Sequence, residues 1–93
     1  MNSDYAFNEY ALSVADALET AADLLSQRRA IISAAAHDLE DNDWGGSNAS
    51  LFWQMVAGIL LWRRPAYDPV RADHLAEAAE EVLEQAAIYG TIL

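Results

Sequence analysis

Leu24-Leu25-Ser26-Gln27-Arg28-Arg29 sets the number of helices in this chain, because it is where the longest helical pattern either continues or folds back. On its N-terminal side Phe7, Ala11, Val14, Leu18, Ala21 and Leu25 recur at alternating steps of four and three. On its C-terminal side Arg28, Ile32, Ala35 and Leu39 keep the same phase. That is the period of one face of an α-helix, and Tyr10, Ala17, Leu24 and Ile31 widen it into a stripe suited to a globular bundle. Arg28 is the one charge on the stripe, so a bend or helix–turn–helix can fall there. The unbroken phase, and the absence of Gly and Pro from Met1 to Asp43, favour a single long helix instead.

Such a helix starts at an Asn2 or Ser3 cap with Asp4 in its first turn. It stops near Glu40, where Asp38, Glu40, Asp41 and Asp43 crowd a C-terminus that disfavours carboxylates. Trp44-Gly45-Gly46-Ser47-Asn48 reads as a turn. The next helix, about Asn48 to Arg63, is apolar on nearly every side and must be covered on several faces, with Trp53 and Trp62 expected in the core. Pro65 ends it. Asp68-Pro69 then supplies a cap and a first helical residue, and a last helix runs to about Tyr89 with Gly90 as a stop. Its core stripe is Leu75, Ala79, Val82, Ala86 and Tyr89.

The expected fold is all-α: a single domain over residues 1–93, a small antiparallel bundle of three helices with the central one innermost, or four if the first bends near Arg28. A first helix of about 37 residues would be roughly 55 Å long against about 24 Å for the second. Its overhang would need a bend or a second copy of the chain, so a homodimer through helix one is a possible assembly, with Tyr5, Phe7 and Tyr10 in the core or at that interface.

The 93 residues carry fifteen Asp and Glu against five Arg, with no Lys, for a formal net charge of −10. The charge is uneven. Residues 1–46 hold nine carboxylates and two arginines, 47–65 only two arginines, and 66–93 six carboxylates and one arginine. This excludes direct nucleic-acid binding through a basic patch, and it repels anionic membranes. A hydrophobic content of 54% excludes an acidic disordered tail. No Cys is present, so packing alone must stabilise the fold. Residues 1–20 lack the pattern of a signal peptide, and the apolar run from Leu51 to Trp62 is too short to span a bilayer. A cytoplasmic setting is expected.

No catalytic or cofactor motif stands out. His37 and His74 lack convergent ligands, Glu-x-x-His pairs are missing, and no nucleophile elbow or phosphate loop occurs. No catalytic residue, cofactor or metal is expected. The distinctive feature is a ridge on the last helix: Asp73, Glu77, Glu80 and Glu84 at steps of four, three and four, with Glu81 alongside. Neighbouring carboxylates on one helical face sit about 5–6 Å apart, close to the spacing of phosphates along a nucleic-acid strand. The stretch from Asp73 to Glu84 contains no cation, whereas ordinary helical surfaces interleave Glu with Lys. Asp16, Glu19 and Asp23 add carboxylates to the polar side of helix one, and Asp41 and Asp43 add them at its end. Trp44, beside Gly45-Gly46, is either an exposed anchor or a lid on the bundle. These residues together make the candidate surface for a basic partner.

In size, helicity, lack of Lys and the ridge Asp73, Glu77, Glu80, Glu81, Glu84, the chain resembles the small acidic inhibitors encoded by phages, including anti-CRISPR proteins and other DNA mimics. The resemblance implies a non-enzymatic protein that blocks the basic surface of a nucleic-acid-handling complex, acting in the host cytoplasm. Asp16-Ala17-Leu18-Glu19-Thr20-Ala21-Ala22-Asp23-Leu24-Leu25 is also similar to a segment of short helical proteins of pseudomonads, which implies a fold and no activity.

Overall fold

The computed structural model describes residues 3–41 and 47–90. Among them are four helices, α1 Ser3–Thr20, α2 Leu25–Asp41, α3 Ser47–Trp62 and α4 Pro69–Gly90, and no strand. The all-α class is therefore observed, but the single long first helix is not. Asp43 and Trp44 lie outside the described residues, as does most of the turn expected at residues 44–48.

The chain folds back at residues 21–24, just before the Ser26–Arg29 stretch. Ala21 N–H still bonds the Ala17 carbonyl at 3.1 Å. Ala22 and Leu24 then donate to Glu19 and Ala21 at 3.4 and 3.0 Å, the tighter spacing of a helix closing its last turn. Arg28 N–H donating to the Leu24 carbonyl at 3.0 Å opens α2. The physical reason is length. Two helices of 18 and 17 residues are about 27 and 26 Å long, a match for the roughly 24 Å of the 16-residue α3. The molecule measures 38 × 27 × 21 Å, too short for an unbroken first helix.

Contacts between side chains fix the directions. Phe7 meets Phe52 and Arg63 reaches Asp16, so α1 and α3 run parallel. Tyr10 reaches Asp38, so α2 runs opposite to α1. Arg71 at the start of α4 bonds the Glu19 carbonyl at the end of α1, so α4 is antiparallel to α1 and α3. The α3–α4 pair is the most closely packed. Of the twenty buried hydrophobic residues among those described, ten are Ala, and side chains as small as Ala57, Ala78 and Ala79 let backbones approach. The bulk comes from Leu18, Leu39, Phe52, Trp53, Leu60 and Leu75, all fully buried. Phe52 meets Phe7 and Trp53 edge to face, with ring centroids 5.6 and 5.1 Å apart.

Local chemistry at the start of α4 is as the sequence implies. Asp68 caps the helix, accepting from Arg71 N–H through Oδ1 at 3.1 Å, and its carbonyl accepts from Ala72 at 2.9 Å. Leu75, Ala79, Val82 and Ala86 are buried as expected, and so are Arg28, Ile32, Ala35 and Leu39 of the α2 stripe. Leu24 and Leu25 are exposed, because the turn carries them off the stripe.

Candidate functional site

The α4 acids divide into two sets. Arg28 of α2, only 4% exposed, donates from Nε to Glu81 Oε1 and from Nη2 to Glu81 Oε2, both at 2.8 Å. Its Nη2 lies 3.5 Å from Glu77, and its Nη1 donates to the Ala22 carbonyl in the turn. The ridge that lacks a cation in sequence therefore receives one from another helix. That hydrogen-bonded guanidinium holds the Glu81 carboxyl below the usual carboxylate range against the opposing effect of burial, with the charges of Arg28 and Arg29 adding to the shift. The Arg28 pKa rises correspondingly, chiefly through its hydrogen bond to Glu81. Glu81 is thus a structural partner of the core, and Glu77 flanks it. Asp73, Glu80 and Glu84 are exposed and take part in no ion pair among the described residues.

The α1 acids are likewise drawn into the fold. Arg63 Nη1 donates to Asp16 Oδ1 at 2.6 Å and to Glu19 Oε1 at 2.9 Å. Arg71 Nη2 donates to the Glu19 backbone carbonyl at 2.8 Å and lies 3.9 Å from its carboxylate. These contacts engage the two candidate acids Asp16 and Glu19 at the last turn of α1, with Asp16 still exposed. Asp23, in the turn, is exposed and its charge helps raise the Arg28 pKa. Asp41 is exposed at the end of α2.

The pattern behind these contacts is that α1 has no basic residue in its last turn. A helix C-terminus favours cations, and Arg28, Arg63 and Arg71 bring them from three other parts of the chain. The sequence signals were an acidic helix end without Lys or Arg, and an arginine placed on an apolar stripe.

A second correction concerns Trp62, which is 86% exposed instead of buried. It stands with Leu12, Met55, Gly58, Ile59 and Arg63 around a groove of about 520 Å³ between α1 and α3. A smaller cleft of about 340 Å³ between α2 and α4 includes Arg29, Ser33, Glu81 and Glu84. At the far end of α1, Tyr10 donates its hydroxyl proton to Asp38 Oδ2 at 2.7 Å. Burial first, and then this bond and the Asp38 charge, push the phenol up to about 12.

Among the described residues no three His, Asp or Glu side chains gather to hold a metal ion, and no helix is long and apolar enough to cross a membrane. In comparison with known proteins, no family model, curated protein or solved structure matches the chain.

Proposed function

We propose that the chain is a non-catalytic acidic binding protein that occludes the basic surface of a nucleic-acid-handling complex, such as a CRISPR effector, in the manner of phage-encoded inhibitors acting in the host cytoplasm. The observation that carries this reading is the division of charge. Arg28, Arg63 and Arg71 are engaged inside the fold, while Asp73, Glu80 and Glu84 stay exposed along about 16 Å of α4. Carboxylates that do not serve the fold are available to the Lys and Arg that otherwise hold phosphate, and the net charge of −10 steers the encounter.

The test is binding to a guide-loaded CRISPR effector in competition with target DNA. Neutralising Asp73, Glu80 and Glu84 to Asn and Gln spares Glu81 and Glu77, which hold Arg28. The triple variant should bind at least tenfold more weakly, and wild-type association should slow steeply with salt. Equal affinity for the two proteins refutes the reading. The alternative is a non-catalytic assembly protein that forms a homodimer. The overhang of a long first helix no longer supports it, since the chain folds back, but the exposed apolar residues of α1 and α3 do. Sedimentation across a concentration series distinguishes the two.

A further inference from the structure

Leu51, Met55, Gly58 and Trp62 follow one another along α3 at steps of four, three and four, so they share one face over about three turns, or roughly 16 Å. Leu51 is 53% exposed and Trp62 86%. Leu12 of α1, 40% exposed, forms the facing wall of the groove. A Cβ added at Gly58 would meet nothing within 4 Å. Glycine inside a helix is disfavoured relative to alanine, and no part of this fold fills the space it leaves.

The rim of the groove is charged. Glu9 and Asp16 lie one turn either side of Leu12 on α1 and are exposed. Asp16 and Glu19 share the guanidinium of Arg63 at the groove's end, and Arg64 beyond it folds onto the Leu61 carbonyl at 3.1 Å. The α1 wall therefore carries more carboxylates than its cation neutralises. An occupant must be apolar along one stripe and basic beside it. It must also satisfy its own backbone, because the N–H and C=O groups of α1 and α3 are used within the helices and offer no edge to a strand. A second copy of this chain fits poorly, since it would set −10 against −10 and Glu9 and Asp16 against their counterparts.

We propose that the α1–α3 groove docks a basic amphipathic helix of a partner protein. Trp62 is the anchor and Gly58 the notch that admits close approach. This site is separate from the α4 carboxylates and requires no role for them.

The probe is an 18-residue Leu/Lys peptide with leucines at i, i+3, i+4 and i+7, compared with a scrambled peptide of the same composition and a Leu/Glu peptide of the same stripe. The striped Leu/Lys peptide should bind the full chain with micromolar affinity, and the Leu/Glu peptide should not bind. Trp62→Ala should weaken binding about 30-fold, as for an interface anchor. Gly58→Phe, which fills the notch where there is open space, should weaken it at least tenfold while leaving the circular dichroism spectrum native. Asp73→Asn/Glu80→Gln/Glu84→Gln should bind the peptide as well as wild type does. The proposal is overturned if the striped peptide does not bind, if the scrambled peptide binds equally, or if both groove substitutions are silent. It is also overturned if sedimentation shows a dimer that Trp62→Ala dissolves. Such a dimer would favour the assembly alternative; none of the peptide-binding outcomes touches the reading of α4.

Discussion

Arg28 and Glu81 can be tested as a pair, with Glu81→Leu, Arg28→Met and the double variant. The guanidinium is almost wholly buried, makes two 2.8 Å hydrogen bonds to one carboxylate and also serves the Ala22 carbonyl. Removing one member of a buried pair typically costs about 3–5 kcal/mol. Glu77, 3.5 Å from the guanidinium, compensates part of the charge, so Glu81→Leu should cost about 3 kcal/mol. Arg28→Met should cost about 2 kcal/mol, since Glu81 is 23% exposed and can rehydrate while the Ala22 carbonyl loses its donor. The double variant should be no worse than Arg28→Met alone, which gives a coupling of about 3 kcal/mol. In a domain of this size Glu81→Leu then lowers Tm by roughly 12–24 °C. Urea denaturation of the four proteins at pH 7 measures the cycle. Repeating it at low pH checks the sign. The folded Glu81 pKa lies below its unfolded value, so the stabilisation is complete above about pH 4.5 and is lost as pH falls through the folded pKa. Single costs below about 1 kcal/mol that simply add would refute the reasoning, because exposed ion pairs behave that way.

Tyr10 should ionise with a midpoint of about 12 in an absorbance titration that Tyr10→Phe identifies by difference. The unfolded chain releases this proton from about pH 10, so the fold loses stability between those values as pH rises, and Tyr10→Phe removes that window from alkaline unfolding curves. Asp38→Asn should lower the midpoint only part of the way to 10, because burial is the larger cause. Gly58→Ala, in open space within α3, should stabilise the protein by about 0.5–1 kcal/mol, read as a rise in Tm. Leu18→Ala, at a fully buried position, should cost about 3 kcal/mol in denaturant unfolding. Leu51→Ala, on the exposed face of α3, should stay within about 0.5 kcal/mol of wild type.

The features that were legible in the sequence are those with local causes. Asp68-Pro69 set the start of α4, Pro65 lies just beyond the end of α3, and periodicity placed Leu75, Val82, Ile32 and Leu39 in the core. The fold-back at residues 21–24 was hidden because the turn contains neither Gly nor Pro and returns the chain to the same phase, leaving Arg28 on the stripe it would occupy in a continuous helix. The charge of Arg28 on the apolar stripe and the mismatch in helix length were what pointed to it. Charge pairing was hidden for another reason: Arg28 meets Glu81 and Arg63 meets Asp16 across 53 and 47 residues of sequence, beyond the reach of any spacing rule. A ridge that looks uncompensated along one helix is partly neutralised from a second. Trp62 escapes the sequence reading because an apolar helix that needs cover on several faces does not show which face stays open. With α1 and α4 as its main neighbours, α3 keeps one face open.

The three arginines that meet at the end of α1 give the molecule a preferred order of opening. They arrive from α2, from the residue after α3 and from α4, so releasing that corner means disturbing every other helix at once. The contacts that hold the opposite end of α1 include the rings of Phe7 and Tyr10 against Phe52 and the Tyr10–Asp38 hydrogen bond, with no arginine clasp among them. Amide exchange along this one helix should therefore be graded, fast near its start and approaching the global unfolding rate by Leu18. High salt should weaken the clasp and flatten the gradient. The scarce positive charge of an acidic chain thus acts as a latch on its unfolding, located where the chain first turns back on itself.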